Sequence, residues 1–246
     1  MIFNFFLQKI LFFLNFILST IFFPLILIFL KIITIFNDMN FDWQLNSYIF
    51  IYYLCGIKHN IKIKKLIKEG YIISNHRSFF DFALDPYISK SSIIGRKEAF
   101  YAVSFSSILG LLDKRIISFS RGTTNRKNLF NIVKEHKKNS KYKRILFYPE
   151  GTRKNYKKLS SSIDIKNKLK LGLLKSIYEC SENLPIQLCL SSNKEYVFNQ
   201  KKFSCIYGMN VNTEFSNAIY PYDFKNFDDF IDKISNEWYK IWSNLN

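Results

Sequence analysis

The sequence predicts an α/β fold: a largely parallel mixed sheet flanked by helices, preceded by an apolar N-terminal membrane helix or helix pair. Three observations carry this. Short apolar runs alternate with helix-like segments from residue 71 onward, the pattern of strands joined by helical crossovers. Phe227, Phe230, Ile231, Ile234, Trp238, Ile241 and Trp242 recur at helical spacing, marking a final helix with one apolar face. The first 36 residues are far more apolar than the rest of the chain.

Ile10 to Leu30 carries no charge over 21 residues, close to the roughly 20 that cross a hydrocarbon core. Pro24 interrupts it, so either one kinked span or two short helices dipping into a leaflet fits. Five lysines stand between Lys58 and Lys68, against Lys9 and the amino terminus before the run. For a spanning segment this asymmetry places the bulk of the chain on the cytosolic side of a membrane. For a re-entrant one the same lysines lie against anionic headgroups, unless they form a solvated linker. The chain therefore divides into a membrane-associated apolar segment, 1–57, and one α/β domain, 58–246. Strands are expected at 71–74, 92–95, 115–119, 144–148 and 184–190, with a pair at 203–207 and 210–215. Helices are expected at 79–88, 98–111, 124–138, 166–181 and 226–244.

The net charge of +17 asks for an anionic partner, although lysine is used throughout. Arginine is the sharper probe. All seven lie between Arg77 and Arg153, which points to one anion-handling region. Cys55, Cys180, Cys189 and Cys205 show no metal-ligand spacing, so they read as reduced, mostly buried thiols and no metal site is expected.

Asn75-His76-Arg77-Ser78-Phe79-Phe80-Asp81 comes directly after the apolar run Tyr71-Ile72-Ile73-Ser74. A histidine at a strand exit becomes a directed base when a carboxylate holds one ring nitrogen, and Asp81 in the first helical turn could fold back to do so. Arg77 and the helix N-terminus would add positive field. A surface turn with a helix-capping aspartate fits the same residues. Further on, Phe147-Tyr148-Pro149 runs into Glu150-Gly151-Thr152-Arg153. Gly151 permits a close backbone approach, Thr152 and Arg153 suit a phosphate oxyanion, and Glu150 could pair with Arg153 or fix the loop from within. A charged hairpin tip is the plainer alternative. Arg96 and Arg121 also end predicted strands, the edge where open α/β sheets bind ligands.

Taken together, these blocks resemble the glycerolipid acyltransferase family, most closely the 1-acyl-sn-glycerol-3-phosphate (lysophosphatidic acid) acyltransferases, over roughly residues 70–195. His76 and Asp81 match the family's His-x4-Asp motif. Arg96-Lys97-Glu98 resembles the second block, with arginine where lysine is commoner, and Ile117 to Arg121 resembles its end. Phe147 to Arg153 matches the third block. Leu184-Pro185-Ile186 resembles the start of the fourth, with Gln187 and Leu188 where a later proline is usual. Ala102 to Ser107 stand where the second block usually has Pro-x-x-Gly.

The resemblance implies acyl transfer from acyl-CoA or acyl carrier protein to the hydroxyl of a lysophospholipid acceptor. His76 and Asp81 would be catalytic, and Glu150, Gly151, Thr152, Arg153, Arg121 and Arg96 would hold the acceptor phosphate. No cofactor is implied beyond acyl-CoA as co-substrate, and membrane lipids are the expected surroundings. Glycerol-3-phosphate or another lysophospholipid is the alternative acceptor. An inactive membrane-anchored lipid-binding scaffold is the alternative outside enzymes. No nucleic-acid-binding motif appears.

Overall fold

A computed structural model describes residues 2–22, 25–26, 28–29, 32, 53, 55–78, 81–101, 115–120, 126–153, 159–180, 183–199 and 201–245. Seven strands form the main sheet: β1 (Lys58–Lys62), β2 (Gly70–Ser74), β3 (Ser92–Arg96), β4 (Ile116–Phe119), β5 (Arg144–Phe147), β6 (Ile186–Ser191) and β9 (Asn210–Phe215). Their order is β1-β9-β6-β2-β5-β3-β4. The five strands from β6 to β4 are mutually parallel; β9 runs antiparallel to β6, and β1 parallel to β9. β7 (Phe198–Asn199) and β8 (Ser204–Cys205) form a separate ribbon. The expected strands at 203–207 and 210–215 are therefore not partners: the first pairs back onto β7 and the second enters the main sheet.

The central strands are apolar because both faces are covered. Tyr71 and Ile73 point into a cluster with Ile145, Phe147, Ile186 and Leu188. Ile72 points the other way, with Ile93, Leu146 and Cys189. The first face is closed by α4 (Arg126–Asn139), α5 (Ser162–Lys166), α6 (Leu171–Cys180) and α8 (Phe227–Leu245). α8 buries Phe230, Ile231, Ile234, Trp238, Ile241 and Trp242, so its stripe is core packing. α2 (Asp81–Ser89) covers the second face, and α3 (Lys97–Tyr101) follows β3. A short α7 (Lys194–Val197) follows β6.

Two expected elements differ. The single helix at 166–181 is two, because the backbone N–H of Lys170 donates to the Pro149 carbonyl at 2.7 Å and pins the chain between them. Ser161 starts the first of the two with a capping box to Asp164. The lysine-rich stretch after residue 57 is an edge strand whose backbone pairs with β9 from Lys58 to Lys62. Exposed lysines guard that edge against further pairing. Of the helix expected at 98–111, residues 102–111 lie outside the described residues.

The N-terminal helix α1 spans Ile2–Ile17 and continues as a π-helical turn at Leu18–Phe22. It starts eight residues before the expected apolar run, and Pro24 lies outside the described residues. No helix among the described residues is long and apolar enough to cross a membrane. One side of α1 packs inward: Phe12 stacks on Phe198 at 4.3 Å between ring centroids, and Asn15 donates to Cys205 Sγ. The other side exposes Phe6, Leu7, Ile10, Phe13, Leu14 and Ile17.

Candidate active site

β2 ends at Ser74, and the chain turns through Asn75 and His76 into α2. Three strands hold this turn. The Asn75 side chain donates to the Ser191 carbonyl at 2.8 Å and accepts from the Ser191 N–H at 3.0 Å, tying the turn to β6. The His76 N–H donates to Glu150 Oε2 at 2.7 Å, tying it to the loop after β5. Ser78 Oγ donates to the Phe198 carbonyl at 2.8 Å.

Asp81, the first residue of α2, is fully buried. Its Oδ2 accepts from the backbone N–H groups of Arg77 and Ser78 and lies 3.0 Å from His76 Nδ1. One oxygen of Asp81 thus both closes the turn before α2 and holds the imidazole. An ionised carboxylate only accepts, so Nδ1 carries the proton and Nε2 is left as the acceptor. Burial opposes ionisation of Asp81, but the Lys194 ammonium, the His76 bond and the Ser78 N–H outweigh it and hold the carboxyl below its ordinary value. The His76 side chain keeps 23% of its surface exposed, enough to meet a substrate. Its ring lies on that of Tyr148, centroids 4.5 Å apart and 19° from parallel.

A cavity of about 600 Å³ opens over His76. Its apolar lining includes Phe82, Ile93, Ile94, Phe119, Leu129, Phe147 and Leu173. Arg96, Gly151, Thr152, Arg153 and Lys170 also line it. This combination of lining residues suits a ligand with both an apolar part and an anionic group. Gly151 has φ +68°, and a Cβ there would come within 2.6 Å of Lys170 Nζ. The left-handed backbone favours glycine here, and its missing side chain leaves room for the Lys170 ammonium to lie close.

Of the residues singled out from sequence, His76 and Asp81 are brought together, and Arg96, Gly151, Thr152 and Arg153 line the same cavity. Glu150 is elsewhere: fully buried, it braces the His76 turn from within. Arg121 lies outside the described residues. The arginine cluster divides by task, because Arg77 does not face the mouth. Its guanidinium lies over the Trp242 ring at 4.3 Å. Arg115 binds the Pro86 and Ser91 carbonyls, and Arg144 those of Ser89 and Ile67. These three are structural.

Lys170 had no sequence signal; the backbone bond to Pro149 carries it to the cavity. Beneath the site sits a second group missed by sequence reasoning. Asp85 accepts from Ser74 Oγ at 2.7 Å, Tyr148 OH at 3.1 Å and Lys194 Nζ at 2.8 Å. Burial pushes the Asp85 carboxyl up to about 6; Lys194 pulls against this and Asp81 adds to it.

A carboxylate-oriented histidine at the C-terminal edge of a parallel sheet, open to a cavity with cationic lining, is the arrangement of a group-transfer site. A family model described as Acyltransferase matches residues 58–187, more than half of the 246-residue chain; the chain belongs to the acyltransferase family. Its fold is similar to that of the 1-acyl-sn-glycerophosphate (LPA) acyltransferase PlsC from Thermotoga maritima. The TM-score is 0.65 and the identity 13%, with 95% of this chain and 92% of that one covered. No curated protein sequence matches the chain.

Proposed function

We propose that the protein transfers a fatty acyl group from acyl-CoA, or acyl carrier protein, to the free hydroxyl of lysophosphatidic acid, forming phosphatidic acid. The observation that carries this reading is the His76–Asp81 pair at 3.0 Å on a cavity lined by apolar side chains and by the cations Arg96, Arg153 and Lys170. His76 Nε2 takes the acceptor hydroxyl proton while the oxygen attacks the thioester carbonyl carbon. The tetrahedral adduct collapses, the carbon–sulfur bond breaks, and the same proton passes from His76 to the departing thiolate. The imidazolium formed in between is stabilised by Asp81. Thr152, Arg153 and Arg96, joined by Lys170, hold the acceptor phosphate and so place its hydroxyl. Arg121 is assigned to the same task from sequence alone.

In this reading the exposed apolar side of α1 rests in the leaflet that contains both acyl chains, with the domain on the cytosolic side. The Thermotoga maritima protein, an LPA acyltransferase by its description, favours lysophosphatidate over other acceptors.

The test uses detergent-solubilised protein, radiolabelled oleoyl-CoA and a panel of acceptors, beside His76→Ala. Labelled phosphatidate from lysophosphatidate, absent in the variant, is expected. Label in another product would keep the reaction and replace the acceptor. Full activity in folded His76→Ala would sink the mechanism, and no label with any acceptor would favour the lipid-binding scaffold.

A further inference from the structure

Beneath the His76 turn, Lys194 is buried to 2% of its surface. Lysine is seldom placed so deeply unless it is paired. Its Nζ donates to the Asn75 carbonyl at 2.8 Å and to both oxygens of Asp85 at 3.0 and 2.8 Å. Asp81 Oδ1, the oxygen not facing His76, is 3.5 Å away. The backbone aims it there: β6 ends at Ser191, and Asn193 takes a left-handed conformation, φ +64°, anchored by its side chain to the Asn210 carbonyl.

We propose that Lys194 is a positioning residue of the acyl-transfer site. Its ammonium fixes the carbonyl next to His76 and allows Asp81 and Asp85 to be ionised side by side, so that Asp81 remains the partner of His76. The proposal rests on the acyl-transfer reading for its catalytic meaning, but not for its physical content. Two buried carboxylates face one another in α2, and the single ammonium between them comes from α7. Other titratable groups facing this cluster are Cys189 from β6, His59 from β1, Tyr148 after β5 and His76 itself. Glu150 bonds to the His76 backbone N–H. None of these supplies a second permanent cation.

Removal of the ammonium therefore has a signature in pH. In Lys194→Met one of the two carboxylates must keep its proton to remain buried, and Asp85 is the one already inclined to do so. A carboxyl raised further in the folded state stabilises at low pH, and that contribution is lost as pH rises through its folded value. The loss in the parent ends near pH 6; in the variant it continues upward. Asp85→Asn in the same chain removes the titrating group.

The experiment compares the full-length parent, Lys194→Met, Asp85→Asn and the double variant by urea unfolding and acyl transfer between pH 5 and 9. In Lys194→Met the folding equilibrium constant should fall by up to about tenfold per pH unit above about pH 7, clear of the range in which His59 titrates, while the double variant stays flat there. The variant's kcat should drop at least roughly tenfold at pH 8, with acceptor KM within about twofold. A merely structural peg predicts equal, pH-independent losses in the single and double variants, and that result overturns the proposal. So does a raised acceptor KM with kcat unchanged. If Lys194→Met fails to fold at every pH, a folded double variant supports the proposal and an unfolded one overturns it. If the parent transfers no acyl group, the proposed function falls while the urea series still decides the role of Lys194.

Discussion

The His76 N–H and the Glu150 carboxylate, 74 positions apart in the chain, are joined by a 2.7 Å hydrogen bond in the interior. The bond ties together the two motif loops that carry the site, and Glu150 acts on the base through the backbone. Glu150→Ala leaves a partly buried N–H without its acceptor, which costs at most about 1–3 kcal/mol. We expect that loss in urea unfolding together with a fall in kcat. Glu150→Gln, which still offers an acceptor oxygen, should be milder in both. A rise confined to the acceptor KM would instead place Glu150 at the phosphate.

Arg153 and Arg96 line the cavity where an anion would sit. Arg153→Ala and Arg96→Ala should each raise the acceptor KM roughly tenfold or more, in line with about 1.5–3 kcal/mol for a charge-assisted hydrogen bond. The KM for acyl-CoA should change much less. Steady-state kinetics with each substrate varied in turn decides it, and an effect limited to acyl-CoA would reassign the loop to the donor.

Arg77, although adjacent to His76, is expected to behave as a structural residue. Its guanidinium over Trp242 contributes about 0.5–2 kcal/mol. Arg77→Met should lower stability by that order and leave the acceptor KM within about twofold. A large KM change would show that the side chain reaches the substrate.

His59 provides a pH dependence of the opposite sign to that of Asp85. Burial, with a contribution from Lys194, lowers its value from 6.5 to about 4, and its Nε2 lies 2.6 Å from Thr213 Oγ1. The folded state thus resists protonation more than the unfolded chain does. The resulting stability is fully present above pH 6.5 and is lost as pH falls towards 4. Asp85 acts in the opposite sense below pH 6, so the test is the difference: as pH falls from 6.5 towards 4, urea midpoints of the parent should drop relative to those of His59→Gln.

The parts of the fold and site that were legible in the sequence are those whose cause is local. The central strands announce themselves because both faces are buried, and α8 because one face is. His76 and Asp81 are five positions apart, so a single turn brings them together. Other placements depend on distant partners. Arg77 points away from the site because Trp242, near the far end of the chain, offers it a ring. Lys170 arrives because its backbone is bonded to Pro149, and Lys194 because Asn193 adopts a left-handed turn. β1 was hidden by its lysines, which protect an exposed edge and so resemble a solvated linker.

Phe198 is gripped from two sides: its ring stacks on Phe12 of the N-terminal helix, and its carbonyl accepts from Ser78 in the His76 turn. A single residue is therefore the spacer between the apolar side of α1 and the base. Through it, the position of α1 is coupled to that of the turn carrying the imidazole. In the proposed reading, where α1 rests on a leaflet, that link would bear on which acceptor hydroxyls reach His76.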